Sequence, residues 1–499
     1  MKYSRNNNPT AVCKLAASLL FIFGLCMPQT LTAKPVPDKY VIAARESMKQ
    51  DTEWMKVIDK LKQIHAKADV VYYKNTINDL LPTLKKKQPR YLCVVEKPEY
   101  IDRNFVIEGN RMSRQMDDDI YDDYLWGIVT GHSAKDAMRI VQQSAEPFTL
   151  KTALSTTSEV KNAIWFDRFA GISDGEKNLW YEKKSRTDSV HTYTMDRQFR
   201  SLGIFFNKWK EIDPDIIFTS SHATQYNLEM PFSSGNLRPD NGQLYADFFT
   251  PTPMPTTQKP RVYLPIGNCL IGDMNATPKS MAAAWLSSGG ATAMLGYVVS
   301  TWYGRNGWGA LKFLLATPGK HTVAEAAYLN RQDMYTHEYR RNEALTRIIP
   351  DFKTLDENSV RAGLGLLIEK TTSQKADNDD IGFIYDRDVV VYYGDPAWNV
   401  RTQTVDGQAD YQFECTKAGK QTVITLKTGP RFSMDKVKGK GFKEEHVKDI
   451  PLAYFLPERL PNARIAKNEN RLDIAFDENF ILIYNQDLKP NHTYMLTLE

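Results

Sequence analysis

Cysteine is scarce in this chain, with five in 499 residues. Cys13 and Cys26 lie within the first 33 residues, which leaves Cys93, Cys269 and Cys415 for the rest. An odd number in an exported chain is incompatible with a complete disulfide framework and leaves at least one thiol free. Cys93, inside the apolar "RYLCVVE", reads as a small core residue. A dominant charge sign is missing too. The formal net charge is +4, and the part after residue 33 holds 61 basic against 60 acidic residues. Neither nucleic acid nor a membrane surface has an electrostatic footprint in such a balance. No apolar run after the N-terminus is long enough to cross a bilayer as a helix. A Gly-rich phosphate loop is absent, and so is a zinc-peptidase pattern: His337-Glu338 lacks a second histidine four residues on, and His321 with Glu325 lacks a third ligand.

What is present begins with an address. Lys2, Arg5 and Lys14 precede the apolar run Leu15 to Cys26, and "QTLTA" ends on a small residue, Ala33. That order is a secretory signal peptide over 1–33, cleaved after Ala33. It ranks above a lipid attachment at Cys26, because "FGL" offers no small residue beside that cysteine. The expected destination is the periplasm, the cell surface or the medium.

Further along, Trp54, Val57, Ile58, Leu61 and Ile64 mark one face of a helix over 51–66. "DVVYY" reads as a short buried strand, "INDLLPTL" as a helix with a proline near its end, "RYLCVVE" as a strand, and "AKDAMRIVQQ" as a helix. Strands alternating with helices predict a parallel sheet with helices on its faces. Ile216 to Thr219 and "RVYLPIGN" are two apolar strands, with His222 just past the first and Cys269 just past the second. A proline-rich loop, "TPTPMPTTQKP", separates them. After Cys269, Pro278 is expected in the first turn of an Ala-rich helix that stops at Gly289-Gly290. "ATAMLGYVVST" reads as a strand, and Thr322 with Glu325 forms a capping box opening a long helix. Beyond Val400 the pattern alternates in steps of two. Leu472, Ile474 and Phe476 share a face before a turn at 477–479, and Phe480, Leu482 and Tyr484 share one after it. Residues 401–499 therefore read as a small β-sandwich.

Functional groups of parallel α/β sheets gather at strand carboxyl ends. His222 and Cys269 occupy two such ends, 47 residues apart in sequence. On neighbouring strands, imidazole and thiol would face one another, as a cysteine nucleophile requires. A helix starting soon after Cys269 would direct N–H groups at developing negative charge, and Asn268 is expected to shape the turn before the thiol.

"IIFTSSHATQYN" followed by "PIGNCLIGDM" resembles the His and Cys motifs of the gingipain-type cysteine peptidases, which have a caspase-like fold. Cys269-Leu270-Ile271-Gly272-Asp273 matches the Cys-x-x-Gly-Asp run in full. "SMAAAWLSSGGATAMLGYVVST", "YYGDPAW" and "DDDIYDDYLWGIVTGHSAKDA" resemble further parts of that domain, and the likeness spans roughly 90 to 400. It implies an α/β fold class: a caspase-like, mostly parallel sheet flanked by helices over 34–400, followed by an Ig-like sandwich over 401–499. It implies a thiol protease acting on a protein or peptide, with Cys269 as nucleophile, His222 as general acid/base, and the amides of Cys269 and Ala223 as oxyanion donors. Ala223 stands where the family usually has glycine, and the spacer between His222 and Cys269 is longer than in the gingipains themselves.

Other readings stand beside this one. Trp302 and Trp308 are candidates to wall a substrate pocket, or ordinary core aromatics. Asp117, Asp119 and Asp122 offer the carboxylate density a Ca²⁺ ion favours, without EF-hand spacing, and a solvated acidic loop ranks above that reading. No cofactor is required. A peptidase-like binding protein without activity at the surface or in the periplasm is the second functional reading. A serine esterase at Ser173, within the Gly-x-Ser-x-Gly of "GISDG", is the third. It is weakened by Asp167 and Arg168 in the segment where an elbow strand belongs.

Overall fold

The computed structural model describes residues 39–157, 160–195, 200–275, 277–354, 356–438, 447 and 449–499. The signal-peptide reading lies outside the described residues. Among those described, twelve strands form the main sheet. In chain order they are β1 Tyr40–Arg45, β2 Asp69–Tyr73, β3 Tyr91–Val95, β4 Leu125–Val129, β5 Thr152–Ser155 and β6 Arg168–Ile172. β7 Leu179–Lys183, β8 His191–Thr194, β9 Ile216–Thr219, β10 Arg261–Pro265, β11 Ala291–Tyr297 and β12 Val390–Tyr393 complete the set. Their spatial order is β2-β1-β3-β4-β12-β11-β10-β9-β5-β6-β7-β8.

Two parallel sets make up this sheet. β1 to β4 run parallel with β12, and β5, β6, β9, β10 and β11 run parallel with one another. They join antiparallel at β11–β12, while β7 and β8 continue antiparallel from β6. Both sets wind alike. The order β2-β1-β3-β4 recurs as β6-β5-β9-β10. In a doubly wound sheet the crevice opens outside the strand carboxyl ends, where the winding reverses. In the second set that point lies between β5 and β9, beside the tip of β10.

Of the strands read from sequence, β3, β9, β10 and β11 are buried on both faces, and β4, equally buried, is not among those read. "DVVYY" is corrected to an edge strand, with Tyr73 alone fully buried. "INDLLPTL" is also corrected. A 3-10 turn Ile77–Leu80 leads into a helix Leu81–Lys87, which places Pro82 at the start, where its missing N–H costs nothing. β1 and β2 place Tyr40–Arg45 and Asp69–Tyr73 in the sheet, with a helix Thr52–Ile64 between them. The long helix runs Val323–Arg341 with its Thr322/Glu325 capping box formed.

The C-terminal region holds two antiparallel sheets, one of Tyr411–Ala418, Gln421–Thr428, Thr493–Leu498 and Ile465–Asn468, the other of Leu452–Phe455, Phe480–Ile483 and Ile474–Asp477. Val400–Thr402 pairs instead with Phe148–Leu150, so the sandwich strands start at Tyr411. Ile474, Phe476, Ile481 and Ile483 face the sandwich's own core. Ala475, Phe480 and Leu482 face the opposite way, into the main core. Tyr328 of the long helix packs edge-on against Phe455 and Phe480, and Tyr484 donates to Asp333 at 2.9 Å. The sandwich is thus docked on the body through a second apolar face, and the described residues form one compact unit.

Candidate active site

β9 and β10 are neighbours in register, Thr219 opposite Pro265. His222 lies three residues past one tip and Cys269 four past the other. Asn268, fully buried, ties the two loops together. Its Nδ2 donates to the Ser221 carbonyl at 2.6 Å, and its Oδ1 accepts the Thr219 hydroxyl. The residues immediately preceding Cys269 and His222 are therefore hydrogen-bonded across the strand tips.

The Cys269 loop is a rigid extension of the sheet. Leu270 N–H donates to Val299 O at 3.0 Å and Gly272 N–H to Tyr297 O at 2.8 Å. Gly272, the glycine of the Cys-x-x-Gly-Asp run, presses on Gly296, and a Cβ there would sit 2.5 Å from the Gly296 oxygen. Asp273 turns inward and caps Asn275 N–H, and burial pushes its carboxyl upward. The motif's Gly and Asp thus build the loop that carries the sulfur.

Cys269 is half-buried and all three described cysteines are free. Its Sγ accepts the Thr301 N–H at 3.2 Å. Burial pushes the thiol above its ordinary value; hydrogen bonds from Thr301 pull it down, and the Glu357 carboxylate adds a smaller upward push. His222 is exposed, its carbonyl accepts from Glu229 N–H at 3.0 Å, and no described residue hydrogen-bonds its ring. Ala223 opens a five-stranded antiparallel sheet inserted between β9 and β10.

The helix after Cys269 is corrected. It is short, Met281–Leu286, capped by Ser280, with Pro278 outside it. Its Met281 N–H donates to Gln225 O at 2.9 Å, so its amino end is spent on the loop after His222 rather than on the thiol.

Trp302 and Trp308 separate. Trp308 is 6% exposed, within the helix Arg305–Leu315, and reads as core. Trp302 is half-buried beside Thr301, its face covered by the Arg361 guanidinium at 3.7 Å. Arg361 bonds Glu357 at 3.1 Å, and both lie in the helix Glu357–Thr372. Neither Glu357 nor Arg361 stood out in the sequence, because an i,i+4 ion pair looks like any solvated helix face.

The acidic run also divides. Asp122 is fully buried and serves the interior: Arg331 Nε donates to it at 2.7 Å and Ser113 Oγ at 2.6 Å, with Tyr335 and Gln332 beside them. Asp117, Asp119 and Asp123 face Asp477 and Glu478 of the sandwich. Among the described residues no group of three or more His, Cys, Asp or Glu side chains is arranged to hold a metal ion.

Ser173 does follow a buried strand, β6, contrary to the sequence reading. No elbow results. The chain reverses into the antiparallel β7, Ser173 is 1% exposed, and its Oγ accepts Glu176 N–H at 2.9 Å.

No protein-family model and no curated protein matches the chain. Solved structures do. The complex of Porphyromonas gingivalis RgpB pro- and mature domains aligns over 92% of this chain and 93% of its own, at 10% identity and TM-score 0.43. The Arg-specific cysteine proteinase gingipain R (RgpB) aligns over 95% and 93%, at 10% identity and TM-score 0.41. A structure described as a protease aligns over 79% and 84%, at 10% identity and TM-score 0.40. No described helix is long and apolar enough to cross a membrane.

Proposed function

We propose that this protein is a cysteine endopeptidase, exported by its N-terminal segment, that hydrolyses peptide bonds through Cys269 and His222. The observation that supports this reading is the Asn268 bridge, which holds the residue before the thiol against the residue before the imidazole at adjacent strand tips. Cys269 Sγ would attack the peptide carbonyl carbon, forming a thioester as the C–N bond breaks. His222 would give its proton to the leaving amine, then take one from the water that releases the acid and restores the thiol. The amides of Cys269 and Ala223 would face the oxyanion, and Trp302 would wall the pocket beside the thiol.

Incubating the full chain with iodoacetamide and a peptidyl acyloxymethyl ketone tests this. Stoichiometric labelling of Cys269, abolished by Cys269→Ala and slowed at least tenfold by His222→Ala, together with peptide hydrolysis, supports the proposal. Labelling by iodoacetamide alone, at the rate of a free thiol and without hydrolysis, refutes it.

A second reading, a peptidase-like binding protein without activity, draws on the raised thiol and its hydrogen bond to Thr301. Peptide binding by wild type and Cys269→Ala with equal affinity and no turnover is its signature. Ca²⁺ at the acidic loop stays a proposal, checked by whether EDTA lowers Tm.

A further inference from the structure

The insertion between β9 and β10 does more than lengthen a loop. Its strands are Ala223–Thr224, Asn227–Glu229, Asn236–Asp240, Gln243–Ala246 and Thr252–Pro253, paired antiparallel in that order. A tight turn at Asn241-Gly242, with φ of 48° and 76°, joins the third and fourth. Asn241 N–H donates to Pro278 O at 2.7 Å, and Leu244 N–H to Ser288 Oγ at 2.7 Å. The insertion is thereby fastened to the segment after Cys269.

A cleft of about 580 Å³ opens where the insertion meets that segment. It is lined by Tyr226, Tyr245, Pro239, Pro251, Asp240 and Lys279, with the Arg238–Asp247 pair at its side. One wall starts four residues after His222 and the other ten after Cys269. Ala223–Thr224 is the edge strand of the inserted sheet, and its outer side has no partner strand among the described residues. An extended peptide can add to such an edge, its alternate side chains pointing to one face. At ~3.3 Å per residue, the four steps from His222 put Tyr226 no more than roughly 13 Å away along the chain, at most about four residues of an extended substrate.

We propose that this cleft is a subsite for an uncharged aromatic or proline side chain of an extended polypeptide, within about four residues of the bond presented to Cys269. The charges around it cancel. Arg238 and Lys279 stand against Asp240 and Asp247, and Arg238 Nε already bonds Asp247 at 2.6 Å. A cleft without net charge gives a charged side chain no compensation for lost water. Two tyrosine rings and two prolines instead offer flat apolar surface, with Tyr226 44% exposed and free to cover an incoming ring. The occupant is thus a segment of protein substrate.

The inference rests on the peptidase reading, and its test separates the two. The full chain is profiled against peptides varied at each position around the scissile bond. One position within about four residues of that bond should favour Phe, Tyr or Pro over Ala, Asp and Lys by about tenfold in kcat/KM. Tyr226→Ala should bring that ratio close to one, and Tyr226→Phe should restore it. Absence of any such position, or a ratio untouched by Tyr226→Ala, overturns the subsite. If no peptide is hydrolysed, fluorescence anisotropy with a Phe-containing peptide on the Cys269→Ala protein decides. Binding weakened by Tyr226→Ala and restored by Tyr226→Phe upholds the cleft while the proteolysis proposal falls. Binding indifferent to both overturns the cleft as well.

Discussion

Asp123 is 2% exposed, and it looks across at Asp477 and Glu478 with Asp117 and Asp119 beside it. Burial first, and these carboxylates second, push its carboxyl up to about 9. Burial and Asp119 likewise push Asp477 up to about 8. Arg459 pairs with Glu478, and Met116 N–H reaches Asp123 Oδ2 at 3.3 Å. The unfolded chain releases the Asp123 proton near pH 4, while the folded protein keeps it to about pH 9. A raised carboxylate contributes fully below its unfolded value, and that contribution is lost as pH rises toward the folded one. At pH 7 the loss is up to ~4 kcal/mol, about three units at ~1.36 kcal/mol each, and near pH 4 it is close to zero. Asp123→Asn keeps the oxygen that accepts Met116 N–H and removes the titration. The variant should match wild type near pH 4 and gain stability as pH rises. With an unfolding entropy of ~2 cal/mol/K per residue, a chain of this size shifts Tm by roughly 1 °C per kcal/mol, so up to ~4 °C at pH 7. Scanning calorimetry of both proteins from pH 4.5 to 8.5 measures this. A Tm difference that stays flat across that range, or a variant less stable than wild type at pH 8, refutes the argument.

Four further outcomes are expected. Asn268→Ala leaves the Ser221 carbonyl without this partner, at ~1–3 kcal/mol, leaves the Thr219 hydroxyl to the Tyr263 hydroxyl at 3.0 Å, and loosens the thiol against the imidazole. Peptide hydrolysis should fall on the order of 10²-fold, and retention of full activity would deny that the bridge positions anything. Glu357→Gln removes a negative charge that raises the Cys269 thiol, so the thiolate, followed by its absorbance during a pH titration, should appear at lower pH; an unchanged or higher midpoint contradicts the assigned cause. Gly272→Ala should destabilise by more than ~1 kcal/mol, as a methyl 2.5 Å from a backbone oxygen must push the loop aside. Gly363→Ala, with nothing within 4 Å in an exposed helix, should stabilise by about 0.4–1 kcal/mol in urea unfolding, and a reversed ranking would sink the packing argument.

The strands that carry the site were legible because their burial is complete on both sides. β9 and β10 are short apolar runs with no polar face to confuse the period, and His222 and Cys269 stand out just beyond their ends. The helix Arg305–Leu315 escaped because it is buried all round, so "RNGWGALKFLL" shows no polar stripe. The Asn241-Gly242 hairpin carried a strong local signal, but its flanking strands are short and interrupted by Pro239. Pro278 suggested the wrong helix start because Ser280, two residues on, caps the helix with its side chain. Asn268 was singled out for the turn, yet its partner Ser221 lies 47 residues away and belongs to tertiary structure alone. The cluster around Asp123 was hidden for the same reason, since half of it comes from the C-terminal hairpin.

The placement of β12 has a consequence for how the chain matures. β4 and β11 are each flanked on one side by this strand alone, and it is made last of the twelve. After Val129 emerges, roughly 260 residues must be added before Tyr393 does, which at about 5–20 residues per second is some 13–50 s of synthesis. Through that interval β4, and later β11, present open hydrogen-bonding edges made of apolar residues, the kind of surface that recruits chaperones or pairs with the wrong neighbour. A chain truncated before Val390 would keep both edges bare, so fragments ending upstream of that point should aggregate even though they contain the thiol and the imidazole.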